Sequence, residues 1–411
     1  MAFLYGLFVR CMFAVIRTAA PFKRKAALLI GGQKNTLSQL GALPPKRGVR
    51  HWFHCASLGE FEQGRPLMEA LKKQDPKCEI ILSFFSPSGY EVRRNFPLAA
   101  AVMYLLPDTA ENARFFVDKV APDKVYFIKY EFWPNHMQAL QNACIPLYSV
   151  CCRFRPGQRF FGFFGGFFRR SLEAVTMFFH QDETSKHLLA KMDLPGRSYV
   201  VGDMRFDRVT SSRLEGGGLP TVAAFAGDAP LLVVGSSWPP EEEIVKNYLL
   251  MAPADCKVVL APHDVSEGRL THIERLLADM TQRYSEAEKA IRPDARVLLV
   301  DSIGLLGKIY RHAQYTLVGG GYSGKLHNVL EPASCGASVV FGLRIGKFPE
   351  AEELVKAGGA FAFVSTQSAA EWLAKLAVEP DLRKDSGRKA QRFVEENQGA
   401  TERIMALLTG S

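Results

Sequence analysis

Short apolar runs alternate with longer amphipathic stretches along most of the chain. The runs are rich in β-branched and aromatic residues, and they lie at 50–54, 79–84, 102–105, 124–128, 147–150, 177–179 and 199–201, and then at 231–234, 257–260, 296–299, 315–318, 338–341 and 360–363. Strands separated by helix-length stretches are typical of parallel βαβ units. The pattern therefore predicts an α/β protein with two doubly wound Rossmann-like domains facing a cleft, with ligands bound at the carboxyl ends of the strands.

The domain boundaries are predicted from the segments that interrupt this pattern. A Gly- and Pro-rich hinge covers residues 41–48, and a Gly-rich polar loop begins at residue 210. We therefore expect an N-terminal segment with its hinge at 1–48, a first domain at 49–209, a linker at 210–228 and a second domain at 229–382. Residues 383–411 have a helical pattern, and we expect this segment to pack back on the first domain.

The net charge of +9 is located in the first 50 residues. That segment has no Asp or Glu, and its basic residues are Arg10, Arg17, Lys23, Arg24, Lys25, Lys34, Lys46, Arg47 and Arg50. Arg10 and Arg17 interrupt the apolar run before it reaches the ~20 residues that a transmembrane helix needs. An apolar helix with basic flanks is suited to an anionic membrane surface, so we expect a membrane-interface helix here. The alternative is an ordinary core helix of the first domain.

Other compartments and partners fit the sequence less well. A secretory signal would carry its positive charge before the apolar run, whereas the first nine residues here have no charged side chain. No nucleic-acid recognition motif is present. The eight cysteines include no CxxC pair and no zinc-like spacing, so we expect reduced, buried thiols in the cytosol and no metal site.

Two segments that directly follow predicted strands supply candidate catalytic side chains in the first half. In 54–67, a strand, a small-residue turn and a helix start place Glu60 at the carboxyl edge of the sheet, where it could act as a general base. The alternative is a first-turn acid that the helix dipole favours. In 129–135, Glu131 and Trp133 are candidates for an acceptor site, although a Trp-Pro pair is as often packing.

Three segments of the second half also follow predicted strands. They span 235–243, 261–269 and 319–342, and the first opens a helix whose free backbone N–H groups could bind phosphate. Glycines allow a backbone to approach a ligand closely, and a Glu after such a loop can accept hydrogen bonds from both ribose hydroxyls. The alternative for the glycines is a tight turn. The candidate ligand-binding residues in these segments are Gly235, Ser236, His263, Arg269, Gly320, Gly321, His327, Asn328 and Glu331.

Five short motifs follow one another along the chain and together span most of its length. They are Ser57-x-Gly59-Glu60, Glu131-x-Trp133-Pro134-Asn135, the segment from Gly202 to Asp207, Gly235-Ser236 followed by Glu241-Glu242, and His327-Asn328-x-x-Glu331-Pro332. Together they resemble the Kdo transferases of lipopolysaccharide assembly, glycosyltransferases of GT-B fold that use CMP-Kdo.

Several positions depart from that family's pattern. Arg205 stands where the family usually has Lys, and Lys325 precedes His327 where glycines are usual. An expected H-P-E-R segment is replaced by residues 263–269, and an N-A-R-x-S segment by residues 151–155, which read CCRFR. These departures affect the prediction of the exact substrates more than the prediction of the reaction class.

The resemblance implies roles for the candidate residues. Glu60 would be the catalytic base, Glu131, Trp133 and Arg153 would bind the acceptor in the first domain, and Arg205 would join the residues of the second half in binding the CMP-Kdo donor. The implied partners are CMP-Kdo, a lipid A precursor and an anionic membrane surface, without nucleic acid, metal or cofactor. The implied location is the cytoplasmic face of the bacterial inner membrane, with the enzyme peripheral or anchored by its N-terminus.

Further interpretations of the sequence remain open. The acid-free stretch 132–172 surrounds the Phe-rich segment 160–168 with arginines, which favours an acyl-chain or interface contact over a buried hairpin. Alternatives to the Kdo transferase function are a GT-B enzyme that uses a UDP-sugar, such as a lipid glycosyltransferase or an epimerase, and a non-catalytic membrane-recruited nucleotide-binding module.

Overall fold

The structure is a computed structural model that describes residues 2–162, 165–192, 194, 197–214, 216–346 and 348–409. The chain forms two compact units, one made of residues 1–208 and 399–411 and the other of residues 209–398.

Unit 1 contains a parallel sheet with helices between its strands. Its strands are β1 (Arg50–Cys55), β2 (Glu79–Phe84), β3 (Ala101–Tyr104), β4 (Lys124–Ile128), β5 (Leu147–Cys152), β6 (Val175–His180) and β7 (Arg197–Val200). They pair in the order β3-β2-β1-β4-β5-β6-β7. The helices are α1 (Ala2–Ala19), α2 (Arg24–Gly41), α3 (Leu58–Gln74), α4 (Pro87–Arg93), α5 (Ala110–Val120), α6 (Pro134–Asn142), α7 (Gly165–Leu172), α8 (Glu183–Ala190) and α9 (Met204–Leu214), which runs past the end of the unit.

Unit 2 has the same kind of architecture. Its strands β8 (Leu231–Ser237), β9 (Lys257–Pro262), β10 (Thr281–Arg283), β11 (Val297–Leu299), β12 (Tyr315–Val318), β13 (Ser338–Gly342) and β14 (Ala360–Phe363) pair in the order β10-β11-β9-β8-β12-β13-β14. Its helices are α10 (Pro220–Ala226), α11 (Pro239–Met251), α12 (Glu267–Leu277), α13 (Tyr284–Ala287), α14 (Leu306–Ile309), α15 (Leu330–Ser334), α16 (Pro349–Lys356), α17 (Thr366–Val378) and α18 (Pro380–Asn397).

The predicted α/β class with two Rossmann-like sheets is confirmed. Every predicted run coincides with a strand whose ends differ by a few residues, because strands buried on both faces must be continuously apolar. β10 was missed in the sequence, since this edge strand consists of three residues, Thr-Gln-Arg, with no apolar run.

The segments around the domain boundaries have more structure than the sequence suggested. The segment expected as a linker contains the end of α9 and all of α10, whose Val222 and Phe225 are buried in the core of unit 2. The C-terminal segment is divided between the units. α18 belongs to unit 2, whereas the last helix, α19 (Ala400–Thr409), buries Ile404 and Leu408 in the core of unit 1.

The N-terminal helices pack on unit 1 through one face only. Val9 and Phe13 of α1 and Leu29 of α2 form a buried cluster with Tyr104 of β3. The opposite face exposes large apolar side chains, namely Phe3, Leu4, Leu7, Phe8 and Val15. Within the described residues no single helix has the length and apolarity to cross a membrane. Taken together, α1 and α2 are long and apolar enough, but the pair is bent by 118°. Packing on the first domain is thus observed, and membrane contact stays a prediction.

Two further sequence interpretations are corrected by burial. In the Phe-rich segment, Phe160 is buried and its ring lies 5.3 Å from Phe132 and 5.7 Å from Phe154, so this part joins the core because its neighbours are aromatic. Residues 163 and 164 of that segment lie outside the described residues. All eight cysteines are free, as expected, but Cys11 and Cys144 are exposed rather than buried.

Candidate active site

Two glutamates lie on adjacent loops at the carboxyl edge of the sheet in unit 1. β1 and β4 are neighbouring parallel strands, with His54 opposite Phe127, so the loops that follow them are next to each other. Glu60 lies in the first turn of α3, after β1, and Glu131 lies between β4 and α6. Burial, and after it the negative charge of Glu131, raises the pKa of Glu60 to about 7. A carboxyl group with that pKa can exchange its proton near neutral pH.

The Glu60 carboxylate is held by the backbone of its own loop. Its Oε2 accepts a hydrogen bond of 2.5 Å from the backbone N–H of Ala56. Ser57, the N-cap residue of α3, makes no capping hydrogen bond with its side chain. A first-turn acid stabilised mainly by the helix dipole would have a lowered pKa. The raised pKa of Glu60 therefore favours the catalytic interpretation over the alternative given by the sequence.

A chain of hydrogen bonds supports the second glutamate. Trp133 Nε1 donates to Glu131 Oε2 at 2.8 Å, and His54 Nε2 lies 3.2 Å from the same oxygen. The other ring nitrogen of His54 lies 2.9 Å from Ser83 Oγ, which accepts a hydrogen bond of 2.8 Å from Trp52 Nε1. His54, Ser83 and Trp52 are fully buried, so the interior of the sheet orients Glu131.

The structure gives Trp133 contacts that the sequence did not predict, and it adds residues that the sequence did not reveal. The Trp133 ring packs on Phe85 with 5.0 Å between centroids, and its N–H is used by Glu131, so we infer that it positions Glu131. His54 and Ser83 were not identified from the sequence. Their one signal is that they are polar residues inside apolar strand runs.

Arg205 and Arg153 are each paired with an aspartate in unit 1. The Arg205 guanidinium lies 2.7 Å from the Asp203 carboxylate. Burial acts to raise the pKa of Asp203, but the charge and hydrogen bonds of Arg205 hold it below its usual range. Arg153 lies 3.0 Å from Asp182, the N-cap residue of α8. The structure therefore places Arg205 in unit 1 with Glu60, whereas the other residues expected to bind the donor lie in unit 2.

Close packing inside unit 2 explains the glycines of the second half. A Cβ atom on Gly235 would lie 1.9 Å from Tyr310 Oη, and one on Gly321 would lie 2.5 Å from the backbone of Gly342. A Cβ atom on Gly320, where φ is +86°, would lie 2.1 Å from a backbone oxygen five residues later. Close packing is thus a sufficient reason for glycine at these positions, and ligand contact there stays a prediction.

Two buried glutamates connect the strand ends of unit 2. Glu241 accepts hydrogen bonds of 3.0 Å from the backbone N–H groups of Trp238 and Gly320, and burial raises its pKa. Glu242 forms a salt bridge with Arg269 of α12. Arg269, which the sequence suggested as a phosphate ligand, is thus engaged by a buried carboxylate of its own domain.

A group of aromatic side chains lies after β8, β9 and β12, three adjacent strands. The ring of His263 stacks on Trp238 with 4.4 Å between centroids and lies 4.8 Å from His327. Burial, followed by the charge of His263, lowers the pKa of His327. Lys325 and Tyr322 join Trp238 around a cavity of about 160 Å³. Trp238 was not among the site residues identified from the sequence, although it stands in the predicted helix start.

Three more predicted residues lie at the same edge of the sheet. Asn328 Nδ2 donates to Glu331 Oε1 at 3.0 Å, and its Oδ1 accepts from the backbone N–H of Leu330, so the two side chains orient each other. Ser236, at the end of β8, has φ of +53°, a strained value for a residue other than glycine. The tertiary structure therefore brings His263, His327 and Glu331 to one edge. In the described part of the chain, no group of three or more His, Cys, Asp or Glu could hold a metal ion.

Comparison with known proteins shows which family the chain resembles. A sequence model described as 3-Deoxy-D-manno-octulosonic-acid transferase (kdotransferase) matches residues 32–208, the part that contains Glu60 and Glu131. The chain is 24% identical over 421 residues to the 3-deoxy-D-manno-octulosonic acid transferase of Haemophilus influenzae, with 97% of this chain and 94% of that protein covered. The chain is similar to this family over most of its length. A Kdo transferase of Chlamydophila psittaci is also 24% identical, with 87% of this chain and 84% of that protein covered.

Solved structures of similar architecture show the fold of this chain. UDP-GlcNAc 2-epimerase from Neisseria meningitidis has a TM-score of 0.63 at 15% identity and covers 88% of this chain and 100% of its own. MurG of Acinetobacter baumannii has a TM-score of 0.56 at 12% identity and covers 89% and 100%. At these identities the likeness shows the fold alone. The GT-B fold is confirmed, and the expected glycosyltransferase class agrees with the names of the Kdo transferases that the chain resembles.

Proposed function

We propose that the chain transfers Kdo from CMP-Kdo to a hydroxyl group of a lipid A precursor of lipid IVA type during lipopolysaccharide biosynthesis. Likeness to the Kdo transferases supports the identity of the transferred sugar. The observation that carries the reaction is Glu60, a partly buried carboxyl group whose pKa is raised to about 7 by burial and by Glu131. A base with that pKa is suited to accept the proton of an acceptor hydroxyl at neutral pH.

The proposed reaction is a single displacement with inversion. Glu60 accepts the proton of the acceptor hydroxyl while the hydroxyl oxygen forms a bond to the anomeric carbon of Kdo. The bond between that carbon and the phosphate oxygen breaks, and CMP leaves with the electron pair. Donors and cations already held in place stabilise the charge that develops on the leaving phosphate. Arg205, oriented by Asp203 in unit 1, is one such cation.

We propose that the aromatic edge of unit 2 binds the donor. The Glu331 carboxylate, oriented by Asn328, can accept hydrogen bonds from two ribose hydroxyls. The stacked rings of Trp238 and His263 present an apolar surface to a nucleotide. The lowered pKa of His327 keeps its imidazole neutral, so one ring N–H can donate to a phosphate oxygen.

Release of CMP by the purified full chain tests the function. Incubation with CMP-Kdo and a lipid A precursor should release CMP, whereas UDP-sugars with the same acceptor should give no transfer. Glu60→Gln should lower turnover by about 10²–10⁴-fold. Glu69→Gln is a matched control, because Glu69 lies on the same helix and pairs with Arg65 at 2.6 Å. Transfer from a UDP-sugar but not from CMP-Kdo would overturn the proposal, and a protein inactive with every donor would favour the nucleotide-binding module.

We also propose that α1 docks on the anionic cytoplasmic face of the bacterial inner membrane. Its outer face exposes Phe3 and Phe8 by 82% and 63%, and the basic residues 23–25 follow directly. Each basic side chain near an anionic surface contributes about 1 kcal/mol. Replacing residues 23–25 with Gln should therefore weaken binding to anionic vesicles by roughly two powers of ten, and added salt should reduce the difference. Equal binding of variant and parent to anionic and neutral vesicles would contradict this electrostatic contribution.

A further inference from the structure

Three side chains that the proposed reaction does not use form a cationic cluster beyond the ends of β4 and β5. Lys129 directly follows β4, Tyr130 is its neighbour, and Arg155 lies three residues after β5. Lys129 Nζ lies 5.5 Å and Arg155 Cζ lies 5.9 Å from the centroid of the Tyr130 ring. These three residues are called the Tyr130 cluster below.

In the described part of the chain, the two cations of the Tyr130 cluster form no salt bridge. Among the residues that the structure describes, no carboxylate oxygen lies within 4.0 Å of the Lys129 ammonium or the Arg155 guanidinium. Neighbouring Arg153, by contrast, pairs with Asp182 at 3.0 Å. Burial, followed by the charge of Arg205, lowers the pKa of Lys129. A cation that is partly withdrawn from water and forms no salt bridge within the described residues is suited to bind an anion.

The hydroxyl group and the backbone of the Tyr130 cluster are also unusual. Tyr130 Oη is buried and has no hydrogen-bond partner in the described part of the chain. Most buried hydroxyl groups in proteins are hydrogen-bonded, so a missing partner needs an explanation. Lys129 has φ of +68°, in the left-handed region that residues other than glycine rarely adopt. Such backbone strain is concentrated at ligand-binding positions.

We propose that the Tyr130 cluster binds a phosphate monoester group of a substrate or product, and this proposal rests on the function proposed above. Two cations match the two negative charges of a phosphate monoester, and the Tyr130 hydroxyl supplies a further donor. Lys129 and Tyr130 directly precede Glu131, and the loop of Glu131 is next to that of Glu60, so the subsite lies at the same edge of the sheet as the proposed base. Arg155 stands where the family pattern that the chain resembles has Ser, so this cation is a departure from that pattern. The phosphate belongs either to the acceptor or to CMP.

Kinetics of the full chain with two acceptors test the proposal. One is a phosphorylated lipid acceptor, and the other is the same lipid after enzymatic removal of its phosphate. Arg155→Ser should raise the KM for the phosphorylated acceptor about tenfold or more, because a charge-assisted hydrogen bond is lost, and should change the KM for the other by less than about twofold. Tyr130→Phe should cause a smaller rise of the same kind. Arg114→Ser, at an exposed arginine of α5, is the control and should change neither value.

Calorimetric titration of the same variants with CMP and with each acceptor identifies the source of the phosphate. A weaker Kd for CMP in Arg155→Ser, with acceptor binding unchanged, would assign the subsite to the nucleotide and support the proposal. Unchanged constants for CMP and for the phosphorylated acceptor would overturn it. If the wild-type chain transfers nothing to the lipid, the proposed function fails, while the titrations still decide whether this subsite exists. Arg155 is exposed, so the variant is expected to fold.

Discussion

Replacing Glu60 with glutamine should remove most of the turnover and make the protein more stable at alkaline pH. Burial and Glu131 raise the pKa of Glu60 from 4.5 to about 7. The folded state therefore holds this proton more tightly than the unfolded chain does, and ionisation of Glu60 destabilises the fold as pH rises from about 4.5 through 7. A neutral glutamine does not ionise, so this loss of stability is absent from the variant.

The size of the effect follows from the pKa of Glu60 in the two states. At 1.36 kcal/mol for each pKa unit, the ionised carboxylate lowers the free energy of unfolding by about 3 kcal/mol at pH 8 and by a few tenths at pH 4. Weakening of the hydrogen bond from Ala56 offsets part of this gain, because a neutral glutamine oxygen accepts it less strongly than a carboxylate does. We therefore expect Glu60→Gln to exceed the wild type by about 1–3 kcal/mol at pH 8, with the difference vanishing towards pH 4.

Urea unfolding at pH 4, 6 and 8, with CMP release measured on the same preparations, provides the assay. Glu69→Gln should lower stability by no more than about 1 kcal/mol at every pH and should keep its activity, because Glu69 takes part in a partly exposed ion pair. If Glu60 were only a first-turn acid favoured by the helix dipole, its removal would instead cost about 0.3–1 kcal/mol. A less stable Glu60→Gln variant at pH 8, or one that keeps more than about a tenth of the turnover, would refute the reasoning.

Other variants test neighbouring parts of the site. The kcat/KM of the wild type should rise with pH through about 7 as Glu60 ionises. Glu131→Gln should move this rise to lower pH, because the charge of Glu131 raises the pKa of Glu60. A pH profile that does not move would contradict the coupling between the two glutamates. Glu331→Ala should weaken calorimetric binding of CMP and leave the acceptor KM unchanged, whereas unchanged CMP affinity would limit Glu331 to a structural role. Gly320→Ala should destabilise the protein by about 1–3 kcal/mol in thermal unfolding, because a left-handed backbone and a close carbonyl leave no room for Cβ, whereas Gly217→Ala, with open space around it, should have little effect.

The order and type of most elements could be predicted because their signals are local. A strand buried on both faces must be apolar along its length, and that pattern is visible within a few residues. The position of Glu60 at a helix start could be predicted for the same reason, since a strand, a small-residue turn and a helix follow one another within 55–60. β10 and the division of the C-terminal segment depend on which surface each element packs against, so they could not be predicted.

The supports of the site could not be predicted because they join distant parts of the chain. Ser83 meets His54 because β1 and β2 pair in parallel, and His54 meets Glu131 because β1 also pairs with β4. The roles of glycines were also undecided, because a missing side chain can admit either a ligand or another backbone. At Gly320 only the tertiary contacts showed that protein atoms fill the space.

The sequence by itself determined the fold class, the motifs of the family and the identity of the candidate base, because these depend on residue types at short spacing. The tertiary structure decided how that base is protonated. The pKa of Glu60 depends on burial and on the charge of Glu131, a residue from another loop that becomes a neighbour only when β1 and β4 pair. Burial and charge act through space, so the chemistry of Glu60 is a property of the folded chain rather than of its local sequence.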